Sequence, residues 1–362
     1  MHYYTKSGKT FTSKIDACAH KHHTGEEIFF YYYDDVYSKI DWHIEPPESL
    51  EYYYKQQAQR IRDSYDYVIL AYSGGYDSTT ILETFHFNNI KIDKIITVGA
   101  LKKDSAYGVD ENHNGELYHN VFPYIKELGL ESIFQICDYS DIIDDPMNLS
   151  ISQYGENWID YVGTWFSPHH WYWRDIEKYV VPEEYKNKKV AIVMGRDKPY
   201  LFHGNDDSGQ PMMGGRFAIN GFKFTDASAY SYGELGKADY CDRINFYWDP
   251  TYPEVLLKQL HELNKEYLIH KYFGYDKDVG ATVGNKSVHD IVYKLRKPLA
   301  FKSGKSNNKT VSLRDQYMLA DKESKLYKFH SAGIENMKRR CGYEIDDTTF
   351  SRFYEVYNGR RK

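Results

Sequence analysis

Tyr67-Val68-Ile69-Leu70-Ala71-Tyr72-Ser73-Gly74-Gly75-Tyr76-Asp77-Ser78-Thr79-Thr80 joins a short apolar run to a small, hydroxyl-rich turn, and an apolar helical pattern (Ile81, Leu82, Phe85) starts directly behind it. That order predicts a strand over 67–72, a glycine turn, and a helix to about residue 87. Two glycines let the backbone approach an anion closely, and N–H groups at a helix start point at it with the dipole behind them. Ser73 and Ser78 add hydroxyl donors, and Asp77 is a carboxylate able to hold a Mg²⁺ that bridges phosphates. The stretch reads as a nucleotide-phosphate site.

Outward from it, strands and helices alternate. Residues 92–99 read as a second strand, 117–128 as a helix stopped by Gly129, and 132–137 as a third strand. A helical stretch rich in tryptophan (Trp158, Trp165, Trp171, Trp173) leads to a fourth strand at 190–194. This alternation predicts an α/β fold with a doubly wound, mostly parallel sheet, in which ligands bind beyond the carboxyl ends of strands near a topological switch point. Upstream, 48–64 carries helical periodicity with acids early and Arg60 and Arg62 late, which suits the helix dipole. Residues 1–47 read as a small β-rich or irregular element. Beyond about 225 the alternation fades, and helices are expected at 253–272, 287–295 and 312–357. The expected divisions are therefore 1–64, a nucleotide-binding α/β domain at 65–225, and a mainly helical region at 226–362.

A second constellation lies just past the fourth strand: Gly195-Arg196-Asp197-Lys198. A cation and a carboxylate beside a bound nucleotide would contact its phosphates and the metal, which makes Asp197 and Lys198 candidate catalytic residues and Asp197 a second metal ligand. The glycine-rich stretch 204–216 suits a loop that closes over substrate, and Arg216 at its end is a candidate phosphate or carboxylate contact. His20, His22, His23, His169 and His170 lack metal-ligand spacing, and Asp138, Asp141, Asp144 and Asp145 read as a solvated loop. Lys294, Arg296, Lys297, Lys302, Lys305 and Lys309 form a dense basic run without the stacking aromatics of single-strand RNA binders.

Composition narrows the classes. The net charge of −6 over 362 residues gives no support to non-specific nucleic-acid binding, although it leaves a local basic patch open. No apolar run approaches a bilayer span and no signal-peptide pattern opens the chain, so no membrane partner is expected. Four scattered cysteines without a C-x-x-C pair argue against disulfides, zinc and iron–sulfur clusters, and point to a reducing, cytoplasmic setting. A P-loop kinase or ATPase is disfavoured: where Gly304-Lys305-Ser306 would need an earlier glycine, Leu299 stands.

The six residues 73–78 match SGGxDS, and on them the chain resembles the PP-loop family, the N-type ATP pyrophosphatases. The resemblance implies an adenine nucleotide alpha hydrolase-like fold and ATP with Mg²⁺. It also implies cleavage between the α- and β-phosphates, with AMP placed on a substrate oxygen until a nucleophile displaces it. Ser73, Gly74, Gly75, Tyr76, Asp77 and Ser78 would then hold pyrophosphate and metal. Val98, Gly99 and Ala100 would offer backbone groups to adenine, Gly195 would contact the nucleotide, and Asp197 and Lys198 would finish the phosphate site. Tyr76 is bulky for the variable position and would shape the pocket. More narrowly, the chain looks like the asparagine synthase-like proteins of large tailed phages, for which the setting is the host cytoplasm. His2, where a glutaminase would carry cysteine, and the roughly 65 preceding residues leave no room for that domain. Ammonia would be free or come from a partner amidotransferase. The expected activity is a ligase forming a C–N, amide-type bond. The alternatives are a PP-loop enzyme that modifies a nucleobase or tRNA, and a non-catalytic module that binds ATP or AMP.

Overall fold

The computed structural model describes residues 2–99, 101, 116–141, 145–162, 166, 168–195, 199–204, 218–226, 238–272, 296, 319–342 and 349–356. At the N-terminus, strands β1 (His2–Thr5), β2 (Thr10–Phe11) and β3 (Ile28–Tyr31) form an antiparallel sheet in the order β2-β1-β3. Between β2 and β3 runs the helix Lys14–Thr24, started by Ser13, whose hydroxyl accepts from the Asp16 amide.

The helix Leu50–Ser64 is capped in the same way by Ser49 and leads into β4 (Tyr67–Ala71). Then come the helix Tyr76–Phe87, β5 (Lys94–Gly99), a helical segment from Leu117 to Glu127, and β6 (Phe134–Asp138). After short helices at Pro168–Arg174 and Ile176–Val180 comes β7 (Val190–Met194). Strands β8 (Tyr200–Gly204), β9 (Ala218–Lys223), β10 (Cys241–Asn245) and β11 (Tyr354–Glu355) complete the set among the described residues.

Five strands form a parallel sheet in the order β10-β7-β4-β5-β6. The chain steps outward from β4 through β5 to β6, then returns to lay β7 on the other flank of β4 and β10 beyond it. The direction therefore reverses between β4 and β7, at the carboxyl edge where ligands bind in sheets of this kind. Both central strands are buried on both faces, which is why they read as unbroken apolar runs. Val68, Leu70, Ala191 and Val193 pack with Tyr54, Ile81, Phe85 and Leu256 on one face. Tyr67, Ile69, Ile192 and Met194 pack with Trp158, Trp171, Ile176 and Met337 on the other. Helices thus cover the sheet on both sides, as an α/β sheet of this kind requires.

Two expectations are corrected. The boundary at 225 does not separate the sheet from the C-terminal region, because β10 lies beyond it and pairs with β7 over its whole length. The expected helix at 312–357 is, among the described residues, Lys325–Cys341; Gly342 ends it in a left-handed conformation (φ 75°). Tyr354–Glu355 instead pairs with β9, in a third sheet of order β11-β9-β8. The expected helix at 287–295 lies outside the described residues.

The N-terminal element is tied into this C-terminal region. The Phe30 amide donates to the Phe350 carbonyl at 2.9 Å. Lys14 and Asp226 form an ion pair at 2.8 Å with both side chains buried. No helix among the described residues is long and apolar enough to cross a membrane.

Candidate functional site

The 73–78 turn leaves the carboxyl end of β4 and opens the helix Tyr76–Phe87. Gly75 is the cap residue and provides no side-chain cap, so the first-turn amides receive none of the help that Ser13 and Ser49 give elsewhere. Serine hydroxyls lock the turn itself. Ser78 Oγ accepts from the Ser73 amide (3.1 Å), lies 3.1 Å from Ser73 Oγ and donates to the Gly75 carbonyl (3.2 Å). Ser73 Oγ accepts from the Gly75 amide at 3.3 Å. Ser78 is buried and Ser73 exposed, so Ser78 holds the loop together while Ser73 stays accessible at the carboxyl edge.

The two glycines have different causes. Gly74 has φ 77°, and a Cβ there would lie 2.8 Å from Val121 Cγ2 and 3.1 Å from Asn120 Cβ. Backbone conformation and the neighbouring 117–121 segment require it, not an anion. Gly75 has an ordinary extended φ of −81°, and its Cβ would meet nothing closer than Ser73 Oγ at 3.4 Å. Only Gly75 faces open space.

Gly195, the first residue of the second constellation, lies against the loop helix. A Cβ on it would stand 2.7 Å from Asp77 Cβ and 3.2 Å from the Ser78 amide nitrogen, so the end of β7 lies directly against the first turn of the loop helix. Asp77 and Tyr76 are both half-buried in that turn. Asp197, Lys198, Ala100 and Arg216 lie outside the described residues, as does the glycine-rich loop from 205 on.

On the other flank, Val98 is half-buried and Gly99 buried at the end of β5. The Gly99 carbonyl already accepts from the Tyr139 amide at 3.0 Å. Asp138 is taken up locally: its Oδ1 accepts from the amides of Ser140 (2.9 Å) and Leu101 (3.1 Å), which fixes the loop ends beside that expected adenine edge. No group of three or more His, Cys, Asp or Glu placed to hold a metal occurs among the described residues. His20 pairs with Glu26 at 3.0 Å.

Three contributions went unread in the sequence. Tyr247, just past β10, donates its hydroxyl to the Asp77 carbonyl at 2.6 Å, so the C-terminal region reaches the 73–78 turn. Asn245, at the end of β10, is 6% exposed, and neither its Nδ2 nor its Oδ1 has a hydrogen-bond partner among the described residues. The apolar run Phe246-Tyr247-Trp248 before Asp249-Pro250 was the available signal. Behind the loop, buried Glu83 accepts from the Tyr124 hydroxyl and, at 3.0 Å, from the Arg296 amide. Of the expected basic run, Arg296 alone is described, and its guanidinium lies 3.5 Å from the centroid of the Phe87 ring. Thr79 Oγ1 donates to Tyr72 Oη at 3.4 Å, and burial pushes the Tyr72 hydroxyl up to about 12, so it stays protonated.

The chain matches no protein-family model and no curated protein. The geometry of the site therefore carries the functional reading on its own.

Proposed function

We propose that this chain is an ATP-dependent adenylating enzyme of PP-loop type, with an adenine nucleotide alpha hydrolase-like fold, and that it works as a ligase forming a C–N bond. The observation that carries the reading is the placement of the 73–78 turn: it leaves a central parallel strand at the switch point and starts a helix without a side-chain cap. A triphosphate laid there with its β,γ end toward Ser73 and the first-turn amides would gain hydrogen bonds and the helix dipole together. An acceptor oxygen attacking the α-phosphorus breaks the α–β bridging bond, and pyrophosphate departs into the loop. An amine then attacks the activated carbon and AMP leaves with the former acceptor oxygen.

In that scheme Ser78 keeps the loop preformed, so no ordering is needed when ATP arrives. Tyr247 fixes the Asp77 backbone from the far strand. Mg²⁺, when bound, would neutralise the phosphates; Asp77, in the first turn of the loop helix, would hold it, with Asp197 as the expected second ligand. Thiol-dependent variants of this chemistry find no support. All four cysteines are buried, and burial pushes the Cys137 thiol up to about 12 and that of Cys341 to about 11.

The test is ATP–pyrophosphate exchange screened against fractions of cell extract, with Asp77→Ala as control. Exchange in the wild type that falls about 100-fold or more in the variant is expected. Equal exchange in both proteins would reject this assignment of the site. Tight ATP binding with no exchange in any fraction would leave a nucleotide-binding module.

A further inference from the structure

Asn245 pairs across β10 and β7 with Met194, and paired positions of neighbouring strands share a face. The amide therefore stands on the face of Val190, Ile192 and Met194, which Trp171 and Tyr172 cover. Two positions earlier on that face, Arg243 is neutralised by Glu177 through bonds of 2.7 and 2.9 Å, both side chains being buried. The surroundings supply no unmatched charge from that pair and no hydrogen bond to the amide. Buried amides in folded proteins are paired as a rule, so one left without a partner among the described residues, at a strand's carboxyl end, is a candidate contact for a ligand.

Its position says which partner. β10 lies beyond β7, on the opposite side of β4 from Val98 and Gly99. Two residues on from Asn245, Tyr247 touches the loop helix at Asp77. The amide thus lies at the same carboxyl edge, on the flank away from the expected adenine edge.

We infer that Asn245 reads the second substrate of the proposed reaction, and that this substrate presents a planar edge with a hydrogen-bond donor beside an acceptor, as a carboxamide or a nucleobase does. The inference rests on the adenylation reading for the word "second". The class follows from the amide itself, which offers one acceptor oxygen and an NH₂ donor in a single plane. An ionised carboxylate only accepts, so it would serve Nδ2 and set an acceptor against Oδ1; an ammonium only donates and fails Nδ2. A mixed edge satisfies both atoms at once and in one plane, as in the paired contacts that asparagine makes to a base.

The test is calorimetry on wild type, Asn245→Leu and Asn245→Asp. One arm uses adenosine, guanosine, uridine, cytidine and inosine; the other uses glutamine, asparagine and nicotinamide. Each is titrated with and without Mg·α,β-methylene ATP. Wild type should bind at least one probe, and the arm identifies the source of the edge. Asn245→Leu should weaken that probe at least tenfold while changing affinity for the ATP analogue by less than twofold. The inference is overturned if no probe binds wild type, if the Leu variant binds it equally well, or if the loss falls on the ATP analogue instead. A probe that binds wild type while the analogue does not would sink the nucleotide reading and leave the amide assignment standing.

Discussion

Two strand ends lie at the same carboxyl edge and are built in opposite ways. Beyond β4, every serine hydroxyl of the turn has a partner within it, and the glycines give it its shape. At the end of β10, Asn245 is buried and neither amide atom has a partner among the described residues. In the proposed reading the first arrangement is a receptor finished in advance, and the second carries a desolvation cost that a ligand would relieve. The difference teaches that a preformed turn and a buried polar group beside it need not come from neighbouring sequence: here they are about 170 residues apart along the chain and are linked through the Tyr247–Asp77 hydrogen bond.

The comparison can be broken from its foundation upward. Glu177→Ala removes the carboxylate that neutralises buried Arg243, two positions before Asn245, and should cost about 3–5 kcal/mol in denaturant unfolding. A loss well under 1 kcal/mol would mean that the β10 edge is not held as described. Gly74→Ala forces a left-handed residue to carry a Cβ against Val121 and should cost about 1–3 kcal/mol by the same measurement. The smallest and sharpest pair concerns the two strand ends directly. Ser78→Ala removes bonds inside the turn and should destabilise by about 1–2 kcal/mol, whereas Asn245→Leu should be neutral or stabilising by up to about 1 kcal/mol. Equal losses in that pair would show that the asparagine is satisfied in the protein after all.

The parts of the fold that were legible share one property: their environment is uniform along the element. β4 and β7 are buried on both faces, so their apolar runs needed no tertiary knowledge. The helix Leu50–Ser64 carries its cap and its apolar stripe within itself. β10 was hidden because Asp242 and Arg243 interrupt its apolar pattern, and the buried charge of Arg243 makes sense only with Glu177, 66 residues away. The same holds for the site. SGGYDS could be read because its chemistry is local. That Gly74 answers to Val121 and not to phosphate, that Ser78 is a staple, and that Tyr247 supports Asp77 depend on contacts between distant segments, which no local pattern records.

The central claim is that the open N-terminus after Gly75 receives the phosphates of ATP, and Gly75→Asp tests it most directly. The fold tolerates the change: Gly75 has an extended backbone and open space, and aspartate is a favoured helix cap. Titration of wild type and variant with Mg·ATP and with pyrophosphate should show both ligands binding wild type and both weakened more than tenfold in the variant, whose unfolding midpoint is unchanged or raised. Binding of both ligands to the variant as tightly as to wild type would contradict the account.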